Sequence, residues 1–352
     1  MKRIIKRVLV ALVCLLVALL ITAIAVFFNE LRSLSSIKQI DDYGMFQMTY
    51  HGDYGFDGFL KVGASSDGEI EAYVTKHLLK GLPIDLGITG GGCTAFVVRD
   101  ENGDVLFGRN FDFPYSPSMQ LVTHPATGYA SVSTVNLSFA GYGQGNLPSG
   151  LNFSSFLALA GPYLPFDGMN EKGLAMALLA VPKSSPPYDA SKVTLNTTAS
   201  IRLVLDKAAT VDEAVALLRQ YNIYFSADVD SHFLIADATG RSVLVEYYNG
   251  ALQTVTTPDP YQIASNFIAY NGVNIGEGYS EFERYDAVKA AIDSNGGHLN
   301  QAQAVSLLAQ VGGRLNGEDR LQWSVVYNLT KLSGVIFAHR HTDNLISFEL
   351  PA

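Results

Sequence analysis

Gly90-Gly91-Gly92-Cys93-Thr94-Ala95-Phe96-Val97-Val98 sets a single thiol between three glycines and a run of strand-forming residues. Cys93 is the only cysteine outside an apolar leader; the chain holds two, and the other is Cys14. A lone thiol in an exported protein has no intramolecular disulfide partner, which makes it a candidate reactive group. Glycines let the backbone approach itself or adopt positive φ at little steric cost. Thr94 to Val98 then reads as a strand that would hold the sulfur rigidly. The pattern suits a nucleophile at a strand end.

Lys2, Arg3, Lys6 and Arg7 precede an uncharged stretch from Val8 to Phe28, 21 residues in all. That is long enough to cross a bilayer as a helix, and leading positive charge places its start in the cytoplasm. The rest of the chain is expected beyond the cell membrane as an anchored extracytoplasmic domain, or secreted. Ala23-Ile24-Ala25 resembles a small-x-small cleavage site, so a removed signal peptide competes with a retained anchor; the length of the apolar run favours retention. Cys14 lies inside that run and reads as an apolar filler. The expected division is therefore 1–28 as signal peptide or transmembrane anchor, 29–92 as a propeptide-like segment and 93–352 as the catalytic domain.

Of 352 residues, 48% are hydrophobic and 11% aromatic, which describes a globular chain with ample core material. The formal charge of −9 contains the four leader cations, so the remainder carries −13. Such a surface repels phosphate backbones, and no Lys/Arg run follows the leader, so no nucleic-acid partner is expected. One thiol and scattered histidines do not make a structural zinc site, and no metal or cofactor is expected. His339 and His341 alternate as a strand pair would, but no carboxylate stands at ligand spacing.

A helix is expected near Glu69 to Leu79, where Ile70, Tyr73, Val74, His77 and Leu78 fall close to helical spacing. Hairpins are expected at Thr94 to Val98 with Asp104 to Gly108, and at His232 to Asp237 with Ser242 to Tyr247. Ala199 to Ala208 has helical periodicity, and Thr210-Val211-Asp212-Glu213 forms a capping box for a helix reaching about Tyr221. Strands return at Trp323 to Leu329, Gly334 to His339 and Leu345 to Leu350. Hairpins mixed with helix pairs, without regular βαβ alternation, point to an α+β layered fold.

Cys93-Thr94, Leu106-Phe107-Gly108-Arg109-Asn110-Phe111-Asp112-Phe113, Asp167-Gly168-Met169-Asn170-Glu171-Lys172-Gly173-Leu174, Ser265-Asn266 and Glu283-Arg284-Tyr285 together resemble the choloylglycine hydrolase family. That family contains bile-salt hydrolases, penicillin V acylases and the related N-acylethanolamine acid amidases, all N-terminal-nucleophile hydrolases. The resemblance runs from Cys93 to the C-terminus, 260 residues, with Arg109 and Asp112 lying 16 and 19 positions after the cysteine. It implies a four-layer αββα fold preceded here by the hydrophobic helix. It also implies hydrolysis of linear carbon–nitrogen amide bonds in small N-acyl substrates.

An amide carbonyl is a poor electrophile, so its hydrolysis needs a strong nucleophile, a base and donors for the developing oxyanion. Cys93 supplies the thiol. Once the Gly92–Cys93 bond is cut, the freed α-amine, with a reference pKa near 8, can serve as base to its own sulfur. Arg109 would favour the thiolate, and Asp112 would orient the amine. By resemblance, Asn266 is the oxyanion-hole amide and Arg284 completes the constellation. The glycines before Cys93 would keep the scissile carbonyl accessible, so the precursor is expected to process itself.

Ala180 departs from the family pattern, because bile-salt hydrolases use an asparagine there and penicillin V acylases a tyrosine. It can offer only its backbone N–H, so substrate identity cannot be borrowed from either subfamily. The segment before Cys93 is a second departure: the intestinal bile-salt enzymes lack it, and the N-acylethanolamine amidases have it in longer form. Blander readings accompany each residue. Cys93 could be a buried inert thiol, Arg109 and Asp112 a structural ion pair, and Asn170 a hairpin-turn residue. Tyr163, Phe166 and Phe267 could line an acyl pocket or pack in the core. An acyltransferase using the same Cys93 thioester, and a catalytically silent surface-binding domain, stand beside the amidase; a homo-oligomer is compatible with all three.

Overall fold

The structure, a computed structural model, describes residues 2–81, 92–148, 154–272, 275–276, 281–315 and 317–350. Gly90 and Gly91 lie outside the described residues.

Among the described residues two sheets face each other. One has nine strands, ordered β1 (Lys38–Gln39), β2 (Met45–Tyr50), β5 (Ser118–Thr123), β6 (Ser131–Asn136), β7 (Pro165–Asn170), β8 (Ala175–Ala180), β11 (Ser231–Ala236), β12 (Ser242–Tyr248) and β13 (Ala251–Val255). The other has six, ordered β14 (Gln262–Ala264), β3 (Gly92–Arg99), β4 (Val105–Asp112), β19 (Leu321–Asn328), β20 (Ser333–Ala338) and β21 (Ile346–Glu349). Short pairs complete the strands: β9 (Thr194–Asn196) with β10 (Asn222–Tyr224), β15 (Phe267–Ile268) with β16 (Ile275–Gly276), and β17 (Arg314–Leu315) with β18 (Glu318–Asp319). Helices α5 (Thr197–Lys207) and α6 (Val211–Leu218) cover the first sheet, and α7 (Glu281–Ser294) and α8 (Gln301–Val311) cover the second. The result is the four-layer αββα arrangement.

Strand alternation assigns each residue to a layer. In β3, Cys93, Ala95 and Val97 belong to the core between the sheets, whereas Phe96 and Val98 join Val288, Ile292 and Leu308 beneath α7 and α8. Gly108 of β4 faces the Phe96 ring so closely that a Cβ there would sit 2.4 Å from it. Any side chain at 108 would force the Phe96 ring to move. Gly173 closes the β7–β8 hairpin at φ +73°, where a Cβ would meet the Leu329 carbonyl oxygen at 2.3 Å.

Both expected hairpins form, as β3–β4 and β11–β12. The helix expected near Glu69 to Leu79 is α4 (Asp67–His77), which starts earlier than its periodicity suggests because the Ser66 hydroxyl accepts the Glu69 N–H. At α6 the Thr210 hydroxyl caps the Glu213 N–H, but the Glu213 carboxylate accepts from Ala209, not Thr210, so the expected reciprocal box is displaced by one residue. The helix ends at Leu218 rather than near Tyr221.

The leader forms α1 (Lys2–Val26), an exposed helix long and apolar enough to cross a membrane, followed at once by α2 (Phe28–Ser35). The described part of 29–92 is built into the same body. Its β2 runs parallel to β5, pairing Met45 with Ser118 through Tyr50 with Thr123. α3 (Phe56–Val62) and α4 bring Phe56, Phe59, Ile70 and Val74 into the main core.

Candidate active site

Cys93 is the second residue of β3, and its cross-strand partners carry the chemistry. Gly92 pairs with Asp112, Cys93 with Phe111 and Ala95 with Arg109. Arg109 and Cys93 therefore point into the same inter-sheet layer. A guanidinium N–H of Arg109 reaches Cys93 Sγ at 3.6 Å, and the same nitrogen donates to the Leu178 carbonyl at 3.0 Å. The guanidinium lies over the rings of Phe111 and Trp323.

Arg109 and Asp112 are not paired with each other, which corrects the structural reading of them as one ion pair. Arg109 pairs across the layer with Asp167 of β7 at 3.1 Å, and both side chains are fully buried. Asp167 also accepts from Trp323 Nε1 at 3.1 Å and from the Tyr327 hydroxyl at 2.6 Å. Asp112 pairs with Arg284 of α7 at 2.9 Å and accepts the Gly313 N–H at 2.7 Å.

Asn266 and Arg284 close the constellation. Asn266 Oδ1 accepts the Cys93 backbone N–H at 2.8 Å and an Arg284 N–H at 2.6 Å, while its Nδ2 donates to the Ala180 carbonyl at 2.7 Å. Arg284 Nη1 also donates to the Cys93 carbonyl and the Thr94 hydroxyl. Cys93, Arg109, Asp112, Asn266 and Arg284 thus meet at one point. In this uncut chain the Cys93 nitrogen is held by Asn266, and the Asp112 carboxylate is held by Arg284 and Gly313.

Burial pushes the Cys93 thiol above its ordinary value; Arg109 and Arg284 pull it down, Asp112 pushes it up, and the Ala180 backbone N–H bonds toward the sulfur. Burial also raises Asp112, against the pull of Arg284 and the Gly313 N–H. Desolvation of the charged form outweighs the countercharges at both groups.

A cleft opens beside the sulfur. Its lining is apolar at Phe111, Phe113, Phe139, Phe166, Leu178 and Ala180 and polar at Thr198, Ser226 and Ser231. Of the three aromatics considered for an acyl pocket, Phe166 alone lines this cleft. Tyr163 is a core residue whose hydroxyl donates to the Tyr54 carbonyl, and Phe267 packs on Phe282 and Tyr285. Asn170 is a turn residue: its side chain accepts the Lys172 and Leu174 N–H groups and donates to the Leu205 and Ala208 carbonyls.

His339 and His341 do not share a strand face, because β20 ends at Ala338 and His339 turns at φ 50°. His341 stacks on Tyr43, and His339 Nδ1 meets the Leu321 carbonyl. No cluster of three or more His, Cys, Asp or Glu able to hold a metal occurs among the described residues.

Sequence reasoning gave Asp167 no role of its own. A carboxylate between Phe166 and Gly168, in a strand buried throughout, must find a countercharge. That requirement was the available signal, and Arg109 meets it.

A family model of linear amide C–N hydrolases, the choloylglycine hydrolase family, matches residues 93–289 and begins at the nucleophile candidate itself. The chain belongs to the choloylglycine hydrolase family. Its similarity to a penicillin V acylase of Pectobacterium atrosepticum is 30% identity over 198 residues, 49% of each chain. With a bile salt hydrolase/transferase of Clostridium perfringens it shares 28% identity over 167 residues, 44% of this chain and 47% of that one. The chain thus spans about half the length of the curated relatives it matches. A solved conjugated bile acid hydrolase from Clostridium perfringens superimposes with TM-score 0.52 at 17% identity, covering 73% of this chain and 92% of the other. The fold of this choloylglycine hydrolase family member is accordingly that of the N-terminal-nucleophile hydrolases.

Proposed function

We propose that this protein is a cysteine amidase that frees its own nucleophile and then hydrolyses N-acyl amides with an apolar acyl group. The carrying observation is that the nitrogen and the sulfur of one residue, Cys93, are each held by a motif side chain, Asn266 at 2.8 Å and Arg109 at 3.6 Å. A thiol kept only for packing needs neither.

In the first step the Cys93 sulfur attacks the Gly92 carbonyl carbon. The S–C bond forms, the Gly92–Cys93 C–N bond breaks, and the leaving nitrogen takes up a proton. Water then hydrolyses the thioester, leaving a carboxylate on Gly92 and a free α-amine on Cys93. In turnover that amine takes the thiol proton, and the thiolate attacks the substrate carbonyl. The departing amine receives that proton; the freed Cys93 α-amine then takes a proton from water, which attacks the thioester, and the released sulfur takes the proton back. Asn266 Nδ2, which donates to the Ala180 carbonyl while the chain is uncut, serves as one oxyanion donor once it turns from that carbonyl to the substrate oxygen. The Ala180 backbone N–H, which helps to lower the Cys93 thiol, supplies the second. Arg109 favours the thiolate, and Asp112 with Arg284 holds the strand end on which the new amine sits.

The phenylalanine wall receives the acyl chain, and the alanine methyl at 180 leaves open the space that a larger side chain would fill. Each buried methylene contributes about 0.8 kcal/mol, or about fourfold in kcat/KM. Activity on N-acyl amino acids should therefore rise with acyl length and exceed that on conjugated bile salts; a clear preference for the bile salts contradicts this reading of Ala180. Transfer of the acyl group from Cys93 to an amine is the second reading, favoured by the hydrolase/transferase name of one relative. Partition of product between water and added glycine separates the two. The α1 helix is assigned as the membrane anchor or signal segment, with the catalytic body outside the cytoplasm.

A further inference from the structure

Glu246 of β12 is fully buried. Its carboxylate accepts the Ala269 N–H at 2.9 Å and the Tyr270 N–H at 2.8 Å, and His232 Nδ1 of β11 stands 3.1 Å from it. With two backbone N–H groups already on the carboxylate, the tautomer with its proton on Nδ1 lets His232 donate the third bond. His232 is buried as well, and its Nε2 has no partner among the described residues. Burying such a pair costs free energy that apolar residues of equal size would not incur, so its presence calls for a use.

That use lies along the chain. Ala269 and Tyr270 follow β15, and β15 follows Asn266. Asn266 is the middle residue of a tight turn in which the Phe267 N–H donates to the Ser265 carbonyl. Two residues, Phe267 and Ile268, therefore separate the carboxylate's first anchor from the amide that holds the Cys93 nitrogen and the Ala180 carbonyl. Two successive backbone N–H groups fixed on one charge set the position of this short segment better than a neutral contact does.

We propose that Glu246, locked by His232, is a positioning residue for Asn266. It touches no reacting atom; it fixes the segment on which the oxyanion amide stands. The inference rests on Asn266 having that catalytic role. Gln at 246 keeps the volume, but its amide turns an N–H toward at least one of the three donors, which frees the segment. A displacement of about 1 Å at a catalytic group can cost 100-fold in rate.

The test uses the full processed protein and the N-acyl amino acid it cleaves fastest, with self-cutting as a substrate-free readout. Glu246→Gln should lower kcat by about 10- to 100-fold and slow self-cutting, with KM within about threefold. In an Asn266→Ala background the same change should alter the residual kcat by less than about twofold, because the amide it positions is gone. His232→Asn, which keeps an N–H donor near Nδ1, should retain kcat within about threefold, whereas His232→Leu should lose it as Glu246→Gln does. If Glu246→Gln does not fold, the His232 pair decides, and equal losses in both overturn the proposal. Low activity in Asn266→Ala with native kcat in Glu246→Gln sinks the positioning role alone. Native activity in Asn266→Ala sinks the oxyanion reading and this inference with it.

Discussion

Replacing Arg109 with Met removes a guanidinium that faces Asp167 at 3.1 Å and the Cys93 sulfur at 3.6 Å. Alone, the change strands the Asp167 carboxylate, which keeps its Trp323 and Tyr327 donors but loses its countercharge. Breaking one side of a buried pair costs about 3–5 kcal/mol. For a folded part of roughly 320 residues, an unfolding entropy of about 2 cal/mol/K per residue converts that into a Tm loss of about 4–8 °C. Asp167→Asn added to Arg109→Met removes both charges, so most of the lost stability should return. Activity should not return with it. A unit charge about 4 Å from a thiolate is worth about 4 kcal/mol at an effective dielectric near 20. Asp167 cancels part of this, and half of it still amounts to about 30-fold in rate. Thermal melts and kcat/KM on one N-acyl amide, measured for both singles and the double, separate the roles. Recovery of turnover together with Tm in the double variant refutes an electrostatic role for Arg109 and leaves it a fold-holding cation.

After the cut, residues 29–92 should remain bound and co-elute with the larger piece under native conditions. Burial of Leu34, Phe46, Met48, Phe56, Phe59, Ile70 and Val74 alone contributes at least about 10 kcal/mol, and separation of the pieces by gel filtration without denaturant contradicts it. Self-cutting should accelerate from pH 6 to pH 9. Burial raises the Cys93 thiol, so its thiolate fraction is still climbing above the free-thiol value of about 8.5; a rate that is flat or falling over that window, followed from the moment of refolding, is the adverse result.

Much of the site was legible because its residues lie in two adjacent strands. Gly92 to Val98 and Leu106 to Asp112 form one hairpin, so spacing along the chain fixes the cross-strand geometry of Cys93, Arg109 and Asp112. The Arg109–Asp167 pair was not legible, since it joins strands of two different sheets and leaves no periodic trace. Entry of Met45 to Tyr50 into the large sheet was hidden for a similar reason: a parallel pairing with Ser118 to Thr123 has no turn to announce it. His339 and His341 looked like a strand pair because alternation is readable in a sequence, whereas the positive φ at His339 that breaks it is not. The capping box at Thr210 shifted by one residue because the Glu213 side chain is long enough to reach either Thr210 or Ala209, and only the folded backbone selects between them.

The central claim is that Cys93 becomes an N-terminal residue by its own action, and intact-mass analysis of the purified protein tests it most directly. Two fragments are predicted, the larger beginning at Cys93, and the Cys93→Ala chain should stay whole. A native chain that remains uncut while hydrolysing amides, or a cut that persists in Cys93→Ala, contradicts the account.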